Sequence, residues 1–399
     1  MSIGSAATQD MAGVQGRFRE IGRLGFAHCV NDIYFPILMA LQPILITTLG
    51  YSYFQAALLP ATHSLLSSAL QPVFGSLADR KGLRVSISIS LLLSGCGIAL
   101  LGLISDHYLV MLGCVAISAL GHATFHPGAL CKVDALAAKG NRGKLTSLFT
   151  VGGNLGQALG PIIGGLALAY GGITAVTWLI IPAVIGALVL LVSPIPDTCP
   201  VTAKPKESGK EKWKPVIILF SGSTLRAWVT FGAMTFLPTF LVLGGYPILE
   251  ATLFVSVMLL AGVAGQLTGG ALSDRFGRKP VVVITTFAAI PAFAGILYLH
   301  GPLLILSIIT FGFLLWSSFA VTISMAHEMV PTQIGLISGL FMGIAMGAGG
   351  IGVSISGIVA DRFGLAATLA TFPIIVLAAA LLFLMVSYPP KEDQGKDRV

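Results

Sequence analysis

The feature that most restricts this chain is a run of long apolar stretches that recurs from residue 24 to residue 387. Each is close to the ~20 residues that a helix needs to cross a bilayer. Lipid offers the backbone no hydrogen-bond partner, so a segment of that kind must bond to itself as a helix. We count twelve: 24–49, 54–78, 84–104, 108–132, 144–170, 173–193, 215–243, 250–273, 280–299, 302–326, 334–360 and 365–387. Composition agrees, with 55% hydrophobic and 10% charged residues against roughly 25% charged in soluble domains. The expected class is an all-α membrane protein. No catalytic domain and no basic patch for nucleic acid remains once these stretches are assigned.

Charge sets the expected orientation. Of the 23 Lys and Arg, only Arg362 falls in a loop assigned to the outside, and Arg226 falls inside a span, away from its ends. The remainder cluster at the N-terminus, the even-to-odd connections and the tail. The positive-inside rule then puts both termini in the cytoplasm, and the net charge of +7 is a topology signal. The reading divides the chain into an N-terminal segment 1–23, a six-helix bundle 24–193, a linker 194–214, a second six-helix bundle 215–387 and a tail 388–399. The N-terminus shows no short apolar core with a cleavage site, so no removable signal peptide is expected.

The halves repeat. A shift of 195 lays GSLADRKGLR (75–84) on GALSDRFGRK (270–279) and pairs Gly50-Tyr51 with Gly245-Tyr246. A shift of 192 lays SLFTVGGNLGQALG (147–160) on GLFMGIAMGAGGIG (339–352) and pairs Gly172 with Gly364. Parallel repeats of this kind are related by an axis along the membrane normal, with a substrate path between them.

G-x-L-A-D-R-x-G-x-R at 75–84 resembles the signature of the major facilitator superfamily, and GQALGPIIGG (156–165) resembles its antiporter motif. HCVND (28–32), LQPVFGSLADR (70–80), FHPGA (125–129) and FTVGGNLGQALGP (149–161) look like the fosmidomycin-resistance branch of drug exporters. The resemblance implies twelve transmembrane helices in two bundles, and proton-driven export of a drug or small metabolite through the inner membrane by alternating access. It implies a cytoplasmic latch at Gly75, Asp79, Arg80, Gly82 and Arg84, echoed at Asp274 and Arg275, and a motif of Gly156, Gly160, Pro161, Gly164 and Gly165. Protons, a small-molecule substrate and the bilayer are the expected partners of a monomer; no cofactor, metal or nucleic acid is expected. One departure is that the fourth span lacks the arginine of many proton-coupled exporters.

Within the spans, Asp32 and His28 share a helix face at i, i+4. Asp32 lies about eight residues in, ~12 Å from the cytoplasmic end, where a short carboxylate cannot snorkel. Intramembrane carboxylates mark ion or substrate paths, so Asp32, with His28 and His126, is expected to couple protons. His122 and His126 repeat the i, i+4 spacing, but two imidazoles without an acidic partner are weak grounds for zinc. His63 reads as structural. Arg226 sits about 11 residues into the seventh span, and the shift of 195 places it on Asn31. Two readings stay open: a permanent clamp with Asp32, or an anion site in which the guanidinium fork binds phosphonate or carboxylate. Asn31, Asn154 and His122 are expected beside Arg226 as substrate contacts. Gly156, Gly160 and Gly164 recur every fourth residue, where small side chains let helices approach. Asp361 and Arg362 look like a degenerate copy of the latch with structural duty.

Overall fold

The computed structural model describes residues 19–81, 85–136, 142–192 and 213–388. Gly82 and Arg84 lie outside the described residues, as do the side chains of Asp79 and Arg80 and nearly all of the 194–214 linker. The described residues are helical throughout, without a strand. In chain order the helices are α1 Arg19–Thr47, α2 Tyr53–Lys81, α3 Ile87–Gly102, α4 Tyr108–Leu136, α5 Arg142–Gly171 and α6 Ile173–Val192, followed by α7 Trp213–Leu243, α8 Ile248–Phe276, α9 Arg278–Tyr298, α10 Gly301–Met329, α11 Leu336–Phe363 and α12 Leu365–Met385.

Among the described residues nine of these helices are long and apolar enough to cross a membrane, and α3 is apolar but shorter. The other two, α2 and α5, run for 29 and 30 residues, ~44 Å each, and are less apolar. Their polarity follows from their place. Both face protein where the halves meet: α2 packs on α11 and α5 on α8. Outward faces elsewhere carry bare apolar side chains, such as Leu109 (79% exposed) and Val192 (85% exposed). A soluble monomer does not expose such a surface, and lipid is its natural solvent. The protein is a multi-pass integral membrane protein.

The internal repeat is present in the packing. Within α1–α6, α2 and α3 both pack on α4, α3 on α6 and α1 on α5; within α7–α12, α8 and α9 pack on α10, α9 on α12 and α7 on α11. It is present in the backbone too. Gly50 and Gly245 have φ of 71° and 93°, and Gly172 and Gly364 have φ of 61° and 86°. Left-handed backbone of this kind favours glycine, so the glycines paired by sequence make the same helix-ending turns. One local break in the symmetry is a π-helical turn in α11, Gly339–Ile344.

A core of α1–α6 residues (Leu24, Tyr34, Leu91, Phe125 and Phe149 among them) fills the first half. The largest core of the second half also takes in Met39, Ala57 and Ala158 from the first. The seam is close-packed. A Cβ on Gly357 would meet the Phe54 backbone at 2.8 Å, and one on Gly165 would meet Thr252 Oγ1 at 1.9 Å. Beside it, the Ile162 amide donates to Ser256 Oγ of α8 at 3.1 Å. Pro161, without an N–H of its own, loosens the turn there.

Candidate functional site

Two buried polar centres stand out, one in each half. The first is built on α1. At Pro36 the helix lacks the N–H that would bond the carbonyl of Asp32, and a turn interrupts the helix at Ile33. Asp32 is 3% exposed in the middle of this loosened stretch.

The Asp32 carboxylate is surrounded by imidazoles. His28 Nε2 lies 3.3 Å from Oδ2, His126 Nε2 lies 3.6 Å from Oδ1 and His122 Nδ1 lies 4.0 Å from Oδ1. The Asn31 amide donates to Asp32 Oδ1 at 3.0 Å and to His122 Nδ1 at 2.9 Å, and its Oδ1 accepts from Ser94 Oγ at 2.9 Å. The i, i+4 pairs of α1 and α4 thus converge on one carboxylate, bringing together every expected proton-coupling residue.

Hydrogen bonding fixes two tautomers. His28 Nδ1 lies 2.9 Å from the Phe149 carbonyl and His126 Nδ1 lies 3.1 Å from the His122 carbonyl. A carbonyl only accepts, so both Nδ1 atoms carry hydrogen. When neutral, both rings therefore turn a bare Nε2 lone pair towards Asp32. Lone pairs and an ionised carboxylate repel unless something positive stands between them. The arrangement has the lone pairs and the carboxylate oxygens to hold a small cation, the proton being the smallest.

Glycine makes the space. Under the His28–Asp32 pair lies Gly153 of α5, where a Cβ would meet His28 Nε2 at 2.4 Å and Asp32 Oδ2 at 2.9 Å. Along α5, Cβ atoms on Gly152, Gly156, Gly160 and Gly164 would meet Gly25 O at 2.1 Å, Cys29 O at 2.2 Å, Ile33 O at 2.5 Å and Ala40 Cβ at 3.0 Å. The glycine stripe expected for close helix approach is thus the α1–α5 contact. Gly165 turns the other way, to Thr252 of α8.

The second centre is Arg226 on α7. It is 4% exposed, and its Nε is buried without a hydrogen-bond partner. Its guanidinium carbon lies 5.1 Å from the centre of the Phe319 ring of α10. No carboxylate among the described residues pairs with it, so the clamp with Asp32 is not formed. An aromatic contact joins the helices of the two centres: Phe35 and Phe231 meet edge to face, centroids 5.5 Å apart.

The structure places the other expected residues as follows. Asn31, expected at the substrate, gives both amide hydrogens to Asp32 and His122 and accepts from Ser94 at its oxygen, so its amide nitrogen has no hydrogen left for a ligand. Asn154 is half-buried and has no hydrogen-bond partner among the described residues. His63 is not isolated: it stacks on Phe35 at 5.1 Å and meets His122 at 5.3 Å, with its Nε2 buried and unpartnered. Asp274 pairs with Arg278 Nη1 at 3.3 Å, whose Nε bonds Glu328 at 2.8 Å, and the Tyr388 hydroxyl donates to the same glutamate. Arg275 lies over Phe276 at 5.2 Å. This clasp ties α8, α9 and α10 within one half, with Asp274 paired to an arginine other than the neighbouring Arg275.

His63, Ser94, Gly153 and the Phe149 carbonyl were missed by sequence reasoning. Gly153 lies in the glycine run already noted, and a histidine inside a span was signal enough for His63. Ser94 offers none, being one of many small polar residues in apolar helices.

The chain matches the family described as Major Facilitator Superfamily over residues 24–353. It is 31% identical over 379 residues to an MFS-type transporter of Bacillus subtilis (strain 168), YfnC, itself uncharacterised, covering 91% of this chain and 92% of the relative. It is 29% identical over 389 residues to the fosmidomycin resistance protein of Escherichia coli (strain K12), covering 90% of each. Its backbone superposes with a TM-score of 0.79 at 16% identity on a bacterial homolog of the human lysosomal transporter Spinster in an inward-facing, occupied conformation, covering 93% of this chain and 96% of that one. The glycine-matched repeat, the polar helices at the seam and these matches lead to one conclusion: the chain belongs to the Major Facilitator Superfamily.

Proposed function

We propose that this protein is a proton-coupled exporter of a drug or small anionic metabolite, working by alternating access as a monomer in the inner membrane. The observation that carries the anionic substrate is Arg226. A guanidinium nine-tenths buried, with an unpartnered Nε and no carboxylate against it among the described residues, is an expensive group to hold in a membrane and needs an anion. Its fork suits a phosphonate or carboxylate. The likeness to the fosmidomycin resistance protein supports efflux.

Asp32 is the coupling group in this reading. His28 and His126 share its proton, and His122 is held beside it through Asn31. Loading and release bias the two orientations of the halves, which turn against each other at the α2–α11 and α5–α8 seams. Twelve spans form two six-helix bundles, 24–193 and 215–387, with both termini cytoplasmic. Asp79 and Arg80, with Gly75, Gly82 and Arg84, latch the cytoplasmic side. Import of an organic anion on the same fold is the second reading, and the unpartnered Arg226 suits it equally. A membrane-embedded enzyme is disfavoured, since no nucleophile stands beside a base at either centre.

Proteoliposomes with an imposed pH gradient test this reading, screened against phosphonates, organic acids and lipophilic cations. Gradient-driven movement of an anion that stops in Arg226→Ala is the expected result. Movement of cations alone, or indifference to the gradient, would overturn it.

A further inference from the structure

We propose that His28, Asp32 and His126 form a binding site for a divalent transition metal, with Zn²⁺ as the first candidate. This inference shares side chains with the proton site and does not rest on proton coupling; it stands on the geometry of three ligand atoms and their supports. One ring nitrogen each of His28 and His126 and a carboxylate oxygen of Asp32 all lie within 4.8 Å of one another. Ligands bonded to Zn²⁺ at ~2.0–2.1 Å in a tetrahedron stand about 3.3 Å apart. His28 Nε2 lies 3.3 Å from Asp32 Oδ2 and His126 Nε2 lies 3.6 Å from Asp32 Oδ1, so the carboxylate faces each ring with a different oxygen and can close on an ion through both, or turn to offer one.

The supports are those a metal site needs. A ligating imidazole donates its other ring N–H to a carbonyl, carboxylate or water, which fixes the tautomer that presents the lone pair. Both rings do so here, His28 to the Phe149 carbonyl and His126 to the His122 carbonyl. The carboxylate is held in turn by the Asn31 amide at 3.0 Å. The acidic partner that the His122–His126 spacing lacked in sequence is thus supplied by α1.

His122 is not the fourth ligand. Its Nδ1 accepts from Asn31, so in the neutral ring Nε2 carries hydrogen. Two imidazoles and one carboxylate leave a fourth position for water, the donor set of open zinc sites. Nitrogen and oxygen donors without thiolate suit Zn²⁺, Ni²⁺ and Co²⁺ rather than Cu⁺, and the two imidazoles disfavour Mg²⁺ and Ca²⁺.

The test uses the full-length, tag-free protein purified in detergent, without transport. Titration with Co²⁺ as an optical probe should show one equivalent bound with intense d–d bands, displaced by Zn²⁺. Asp32→Asn and His126→Gln should each abolish stoichiometric binding, and Asn31→Ala should weaken it about tenfold as a support of the site. The double variant His107→Ala/His300→Ala, at exposed histidines, should bind as the parent does. X-ray absorption at the zinc edge of the parent protein, expected to show two imidazoles and oxygen, decides the matter even if a variant fails to fold. No uptake at equimolar metal, uptake indifferent to Asp32 and His126, or a zinc shell without two imidazoles would overturn the proposal. Loss of gradient-driven transport with metal binding intact, or the reverse, separates this inference from the proton reading.

Discussion

The carboxylate of Asp361 accepts the backbone N–H of Tyr53 at 2.7 Å and, through its second oxygen, that of Phe54 at 3.0 Å. Asp361 lies near the end of α11 and Tyr53 opens α2, so one half of the chain caps a helix of the other. The first N–H groups of a helix have no partner within it, and a carboxylate there also meets the positive end of the helix dipole. The residue that sequence alone assigned a merely structural duty therefore bridges the seam.

Removing that cap should open the seam at its end. An exposed carboxylate at a helix N-terminus contributes ~0.3–1 kcal/mol, a shift of roughly two- to fivefold in a two-state population. Asp361→Ala should raise labelling of cysteines placed near Tyr53 and Gly357 by that factor, with thermal stability little changed. Equal labelling of both proteins would show that the contact exists without biasing the states.

Gly153 and Gly156 should fail in different ways. Alanine at 156 drives a methyl into the Cys29 backbone, where nothing can yield, and should lower the melting temperature and the amount of protein in the membrane. Alanine at 153 meets the side chains of His28 and Asp32, which can turn aside. Gly153→Ala should assemble yet lose transport against a gradient. Matching losses of stability in the two variants would reduce Gly153 to another packing contact.

Asp32→Asn keeps the shape of the side chain and removes its charge. Substrate binding and assembly should survive, while accumulation against a gradient in proteoliposomes falls to background. Uphill transport at the parent rate would remove Asp32 from the coupling mechanism.

Arg226 invites a test of stability with an unusual sign. A buried charge with no carboxylate against it among the described residues, and only the Phe319 ring beside it, destabilises the unliganded protein, so a neutral side chain of similar volume should be tolerated or better. Arg226→Met is expected to melt at or above the parent temperature without substrate and to lose all substrate-induced stabilisation. Arg226→Lys, which keeps the charge and loses the fork, should bind the anion about tenfold more weakly or worse. A drop of many degrees in ligand-free Arg226→Met would reveal an internal partner and restore the structural reading.

Much of this architecture was legible in the chain. Among the described residues each of the twelve stretches overlaps a helix; nine of these are long and apolar enough to cross a membrane, α3 is shorter, and α2 and α5 are less apolar. The repeat was legible because glycines with left-handed backbone tolerate few replacements: Gly50 and Gly245, Gly172 and Gly364 keep their turns. The i, i+4 histidines were legible singly. Their union was not, since no local spacing records which face of α4 turns towards α1. Asn31 shows the same limit from the other side. A buried amide beside a carboxylate reads as a ligand contact until Ser94, 63 residues away, is found holding its oxygen. Asp274 was expected as an echo of the latch; its partner Arg278 opens the next helix, across the turn at Gly277, a proximity that the tertiary turn sets.

One consequence concerns α5 as a mechanical part. Near one end its Phe149 carbonyl is bonded to the imidazole that faces Asp32; 16 residues on, ~24 Å along the axis, its Gly165 is pressed against Thr252 of the other half. Pro161 stands between these two points, close to the seam. In the proposed mechanism, a ring that swings to follow its proton would pull on the long arm of this lever, with Pro161 as its fulcrum. Under that proposal, events at a carboxylate buried in one half would reach, as leverage, the surface where the two halves meet.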